Sequence, residues 1–270
     1  MSDCSHDCSN CGEKCSERGI EKEKQNEKSN VKKIIGVISG KGGVGKSLVT
    51  CLLASQAKKR GYSVAVLDAD VTGPSVPRLF GIKDRAYSPD GKYLLPAESE
   101  NGVKVMSVNL LLNSEEDSVV WRGPVIAGTV KQFYTDVIWG DVDYMFVDMP
   151  PGTGDVPLTV FQSLPVDGIV VVTSPQELVS MIVAKAVKMA ALMNVPVLAL
   201  VENMSYYKCD GCGKILDIFG KSRIEETASR FGVKNFARLP IKHEFAELSD
   251  AGKIFDAEVP EIAELFDKIK

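Results

Sequence analysis

"SGKGGVGKS", Ser39 to Ser47, follows the apolar run "KIIGVI", Lys33 to Ile38, and opens onto a stretch with helical pattern. Gly40 to Ser47 fits G-x-x-x-x-G-K-[ST] in full, in the strand–loop–helix context that a phosphate-binding loop requires. Gly40, Gly42, Gly43 and Gly45, with Val44 among them, let backbone N–H groups wrap phosphates, and the helix start adds its positive end. Lys46 is placed to neutralise β- and γ-phosphate charge, and the Ser47 hydroxyl to hold Mg²⁺. The minimal motif needs one lysine; Lys41 is a second.

Outward from this loop, strand and helix signals alternate. "IIGVI", "SVAVLD", "VKVMSV", "DYMFVDM", "GIVVVT" and "VPVLALVE" read as strands, and Ser47–Arg60, Pro124–Trp139 and roughly Gln176–Met193 as helices. Apolar strands separated by helices predict an α/β fold, a mostly parallel twisted sheet with helices on both faces. The last segment, "PEIAELFDKIK", spaces Ile262, Leu265, Phe266 and Ile269 as one helical face. Glu261, Glu264 and Asp267 on its polar side are acidic, so it is expected to dock on the domain and not on a membrane.

Further candidates sit at strand ends, where parallel sheets bind ligands. "LDADVTGPS" supplies Asp68 and Asp70. "FVDMPPGTGD" supplies Asp148, a Walker B candidate for Mg²⁺, with Gly152 and Gly154 in a loop suited to sense a γ-phosphate. "VEN" ends at Asn203, an amide suited to read an adenine edge. Each is also an ordinary cap or turn residue when taken alone.

The chain has 270 residues and a net charge of −4, with no long basic block, which disfavours nucleic acid as a partner. No apolar run reaches the roughly 18–20 residues that span a bilayer, and the polar start lacks a signal region, so a cytoplasmic protein without membrane attachment is expected. Residues 1–33 are expected to be an unfolded cysteine-bearing tail on a charged linker, with the folded domain over 34–270. Ten of the seventeen residues from Glu17 to Lys33 are charged, too few apolar groups to offset ordering entropy.

Seven cysteines are unevenly spread. Cys51, in "LVTCLLA", reads as a small core residue. Cys209 and Cys212 form C-x-x-C in "KCDGCGK", where glycines let both sulfurs turn toward one metal. One such pair supplies two of the four thiolates that a 4Fe-4S cluster or a structural zinc takes. A homodimer with facing loops supplies the rest. Cys4, Cys8, Cys11 and Cys15 place four more thiolates in the tail, open to an iron–sulfur cluster or zinc, with His6 read as a polar tail residue. A coil linker of about 17 residues gives a reach of roughly 20–25 Å, enough to visit the Cys209/Cys212 site or a client protein.

"KGGVGKS" resembles the deviant Walker A loop of the MinD/ParA/nitrogenase-iron-protein class. With "LDADVTGPSVPRLFG", "WRGP", "DVDYMFVDMPPGTGD", "VTSPQE" and "ENMSYYKCDGCGKILDIFG", the chain over about residues 34–255 resembles the Mrp/ApbC family of iron–sulfur cluster carrier ATPases. The resemblance implies a P-loop NTPase homodimer with ATP near the subunit interface. It implies that Lys41 reaches the partner's nucleotide, as an arginine finger does, and that Asp70 orients the attacking water. It also implies a transferable cluster bridging the two Cys209/Cys212 pairs and delivered to apoproteins. Leu48 and Lys242 depart from the family's usual Thr and acidic residue; the second weakens any base contact from the "LPIKHE" loop. The competing readings are a MinD/ParA-like regulatory ATPase with structural zinc, a DNA-partitioning ATPase, and an electron-transfer reductase. The pI near 5.4 disfavours DNA, and the "DMPPGTGD" loop lacks the reductase's cysteine.

Overall fold

The computed structural model describes residues 22–71, 73, 75–89, 91–112, 123–152, 154–175, 179–209 and 211–270. The tail thiols Cys4, Cys8, Cys11 and Cys15 lie outside them, as do Trp121, Arg122, Gln176 and Glu177 of the family motifs. The elements run β1 (Asn30–Ser39), α1 (Lys46–Lys59), β2 (Val64–Asp68), α2 (Val76–Leu79), β3 (Ala97–Glu98), β4 (Val103–Met106), α3 (Gly123–Thr135) and β5 (Asp141–Asp148). They continue through α4 (Asp155–Ser163), β6 (Gly168–Thr173), α5 (Val179–Leu192), β7 (Val197–Lys208), β8 (Ile215–Leu216), α6 (Ile224–Arg230), β9 (Phe236–Pro240), α7 (His243–Asp250) and α8 (Pro260–Ile269).

The strands form one sheet in the order β3-β4-β2-β5-β1-β6-β7-β8, with β9 also paired to β7. All pairings are parallel except β3 with β4 and β7 with β8. Side chains alternate between two apolar layers. Ile35 and Val37 of β1 and Val64 and Val66 of β2 face α1, α2, α7 and α8, while Ile34, Ile38, Ala65 and Leu67 face α3, α4, α5 and α6. This is the doubly covered sheet that the apolar strands predict. Ile262, Leu265, Phe266 and Ile269 of α8 are all buried in the first layer, so the helix spends its apolar face on the domain. Arg60 fixes it there, donating from Nε and Nη2 to Asp267 at 2.9 and 2.7 Å.

The folded unit begins before Ile34, which corrects the expected border at residue 33. β1 starts at Asn30, and its upstream chain is pinned by polar groups. Glu23 N–H donates to Ser163 O at 2.7 Å and its carboxylate pairs with Lys131. The Lys22 ammonium meets Phe161 O. Buried Asn26 donates to Thr135 O, Gln25 accepts from the Val31 amide, and Ser29 accepts from the Trp139 amide. Counting apolar residues misses an anchor built from side-chain-to-backbone hydrogen bonds. The helix expected to reach Trp139 ends at Thr135, because Asp136 and Ile138 exchange backbone hydrogen bonds with Leu94. Among the described residues no helix is long and apolar enough to cross a membrane.

Candidate functional site

The glycine loop joins β1 to α1 at the carboxyl edge of the sheet. Gly45 caps α1 with φ 81°, a left-handed conformation that favours glycine, and a Cβ there would lie 2.2 Å from Asn203 Nδ2. Asn203, 2% exposed at the end of the paired part of β7, donates through that nitrogen to Val44 O at 3.0 Å. The amide expected to read a base thus gives one N–H to the loop's backbone, which leaves Oδ1 and the second N–H for a base. α1 has fourteen residues and no acidic side chain in its first turn, so its free N–H groups present an uncompensated positive end. Gly152 N–H donates to Ser39 O at 2.7 Å and ties the 150–154 loop to the same edge. Between these walls lies a cleft of about 330 Å³ lined by Gly42, Gly45, Ser47, Asp70, Ser75 and Pro151.

At the floor of the cleft a single ammonium meets a group of carboxylates. Lys46 Nζ lies 2.7 Å from Asp148 Oδ1 and 3.7 Å from Asp70 Oδ2. Fully buried Asp148 also accepts from Ser47 Oγ at 2.5 Å and Thr50 Oγ1 at 2.8 Å. Register places Asp68 directly beside Asp148 on the neighbouring strand. Burial, and then the charge on Asp148, push the Asp68 carboxyl well above the ordinary range. It accepts from the Asp70 amide at 3.1 Å and from Ser107 Oγ at 3.2 Å. The structure gathers Lys46, Ser47, Asp68, Asp70 and Asp148 in one place. It adds Thr50 and Ser107, which the sequence reading missed. Thr50, one helical turn past Lys46, was legible from spacing; Ser107 depends on β4 lying beside β2. Ser47 Oγ and the Asp148 carboxylate are adjacent hard oxygen donors, a pair that fits Mg²⁺, which takes one or two carboxylates and completes its shell with phosphate and water. Lys41 is exposed on the loop's outer side, its carbonyl accepting from Ser39 Oγ at 3.0 Å.

Cys209 and Cys212 sit on a hairpin. β7 runs on past its last β6 partner, pairs Tyr207 and Lys208 with Leu216 and Ile215 of β8, and turns between them. Cys209 N–H donates to Lys214 O at 2.9 Å, and Gly213 N–H to Cys209 O at 2.8 Å, with Gly213 at φ 69°. Cys209 is half-buried and Cys212 exposed. Ile215, Leu216, Ile218 and Phe219 stand exposed beside them at 60, 41, 56 and 49%. Among the described residues no three or more His, Cys, Asp or Glu side chains of the chain group around one metal position, so the hairpin offers two thiols. Cys51 is fully buried and its thiol is pushed up chiefly by burial, as a core residue's should be.

A glycine-rich loop between β1 and α1, the Lys46–Asp148 pair at its base and a doubly covered parallel sheet define a P-loop nucleotide-binding protein. The family model of the NUBPL iron-transfer P-loop NTPases, in the ParA group, matches residues 30–270, and the chain belongs to that family. An iron-sulfur cluster carrier protein of Clostridium perfringens is 49% identical over 227 residues, covering 82% of this chain and 80% of its own. Another, from Methanocaldococcus jannaschii, is 42% identical over 217 residues, covering 80% and 75%. Among solved structures, a nucleotide-binding protein of Archaeoglobus fulgidus in complex with ADP superposes with a TM-score of 0.79 at 41% identity, covering 87% of this chain and 92% of its own. The cell division ATPase MinD of Pyrococcus furiosus superposes at 0.61 with 18% identity, over 88% and 98%, and shares the fold.

Proposed function

We propose that this chain is an ATP-dependent carrier that binds a 4Fe-4S cluster and passes it to apoproteins. The observation that carries the reading is the pairing, at one sheet edge, of a nucleotide cleft with an exposed two-thiol hairpin. The cluster is cargo. Cys209 and Cys212 supply half of its usual thiolate set, and a second copy of the chain supplies the other half. The exposed apolar side chains around the hairpin support such a pairing, because a contiguous apolar patch of this kind marks a contact surface. ATP sits on the Gly40–Ser47 loop, and Ser47 and Asp148 would hold Mg²⁺, which supplies charge neutralisation on the phosphates. Lys46 neutralises the phosphates from within the subunit, Lys41 does so from the partner, and Asp70 orients the attacking water. Hydrolysis is slow and tied to loading or release. The tail thiols Cys4, Cys8, Cys11 and Cys15 hold a second metal, iron–sulfur or zinc.

The regulatory alternative with structural zinc has less support. The Clostridium and Methanocaldococcus relatives, at 49% and 42% identity, are named cluster carriers, whereas the MinD likeness stands at 18% and speaks for the fold alone. Anaerobic reconstitution with iron and sulfide, followed by metal and sulfide counting per dimer, tests the reading. In the chain lacking residues 1–21, four iron and four sulfide per dimer, lost in Cys209→Ser, is the expected result. Zinc at one per dimer with no sulfide would favour the alternative.

A further inference from the structure

Only two non-glycine residues among those described have a positive φ, Asn194 and Met204. Asn194, at φ 55°, follows the end of α5, where a left-handed residue is ordinary. Met204, at φ 56°, lies inside β7, where nothing in the local turn chemistry asks for it. It stands between two features already described. On its amino side Asn203 is bonded to Val44 of the phosphate loop. On its carboxyl side Tyr207 and Lys208 form the hairpin that carries Cys209.

At this same step β7 parts from β6. Glu202 is its last residue paired with β6, opposite Thr173. Against β9 the register slips, β7 advancing from Glu202 to Tyr206 while β9 advances from Arg238 to Pro240. The slipped segment is cross-braced. Ser205 Oγ donates to Glu202 Oε1 at 2.6 Å and accepts from Arg238 Nε at 2.8 Å. Arg238 also lies over the Tyr206 ring and 3.8 Å from Asp217, on the return limb of the hairpin. Glu202 keeps its other oxygen buried without a hydrogen-bond partner. A left-handed L-residue inside a strand persists only where its surroundings over-determine it, and such residues collect at switches.

We infer that the Asn203–Met204 step is a hinge that positions the thiol hairpin according to how the phosphate loop is engaged. The inference rests on the proposed role of the hairpin and names the route by which nucleotide reaches it. Closing the loop on phosphates moves Val44, Asn203 follows its hydrogen bond, and Met204 is released toward extended backbone. Everything beyond it, Tyr206 to Lys214, then swings as one arm. Coupling of this kind is reciprocal, so a metal that fixes the arm also alters nucleotide affinity.

The test needs no cluster. The full, reduced, metal-free chain is alkylated with iodoacetamide, with and without Mg²⁺ and AMPPNP, and the rates at Cys209 and Cys212 are read by peptide mass. Nucleotide should change the rates by about tenfold in the wild type and in Met204→Ala, which keeps the left-handed penalty. In Met204→Gly the penalty vanishes, the hinge goes slack, and the response should fall below about twofold. Hydrogen exchange of the wild type, which depends on no variant, should show altered protection at Ser205 to Cys209 on nucleotide addition. Unchanged exchange and alkylation under saturating nucleotide would overturn the hinge, as would a full response in Met204→Gly. Because iron enters neither readout, a hairpin that proved to bind zinc would leave the hinge standing, and a dead hinge would leave the cluster reading intact.

Discussion

Lys46 Nζ lies 2.7 Å from Asp148 Oδ1, with the lysine 6% exposed and the carboxylate fully buried. The proposed phosphate lysine on α1 and the proposed metal carboxylate on β5 are thereby also a buried ion pair. Removing one partner leaves a buried charge without compensation, which costs about 3–5 kcal/mol. Lys46→Ala should therefore lower Tm as well as abolish nucleotide binding. Lys46→Met combined with Asp148→Asn should regain most of the stability, by calorimetry, and none of the binding, by titration with ATP.

Lys41 predicts a different pattern. It is exposed, and its proposed role lies across the dimer. Lys41→Ala should bind ATP near wild-type affinity and hydrolyse it about 10³-fold more slowly, the low end for a cation supplied in trans. Mixing this variant with Lys46→Ala subunits should restore part of the hydrolysis, since each lacks what the other provides. Wild-type turnover by Lys41→Ala alone would remove the trans role.

Cys209→Ser and Cys212→Ser should each lose the bridging iron while keeping fold and ATP binding, since a hydroxyl is a poor iron ligand beside a thiolate. Deletion of the tail should stop at residue 21, because Lys22 and Glu23 already anchor to α4. That truncation should retain the bridging iron. Iron at background level in the truncated protein would assign all of it to the tail.

At the opposite face, the Arg60–Asp267 contact predicts a pH dependence. Hydrogen bonds from Arg60 and then Lys270 hold the Asp267 carboxyl well below its ordinary value. A depressed folded-state pKa contributes stability above the unfolded value of about 3.9, and that contribution is lost as pH falls from there through the folded value. Asp267→Asn should thus melt below the wild type at pH 7, with the gap closing under about pH 4. A gap that widens in acid would contradict the assignment.

How much of this was legible without coordinates differs by element. "GIVVVT" became β6 end to end, because an unbroken β-branched run between Gly168 and Thr173 has one reading in an alternating fold. α4 escaped because Pro157 and the preceding glycines look like loop, yet Pro157 falls in the first helical turn, where its missing N–H costs nothing. β9 is short and ends in Pro240; only its long-range pairing with β7 makes it a strand. Lys46, Ser47 and Asp148 were legible because local motifs fix their chemistry. The partners that complete Asp68, above all Ser107, arise from the register of three strands distant in sequence, and the left-handed Met204 leaves no mark in composition at all.

The anchoring of residues 22–29 sets the geography of the chain's two groups of thiols. Glu23 is fixed to Ser163, where α4 ends, and Asn30 N–H to Gly140, just ahead of β5; both mark the amino edge of the sheet. The hairpin stands beyond the other end of β7, past the step where four residues of β7 match two of β9. Cys15 precedes Lys22 by seven residues, a leash of at most about 25 Å. The leash of the proposed tail metal thus starts at the amino edge of the sheet, the end remote from the cleft and the hairpin.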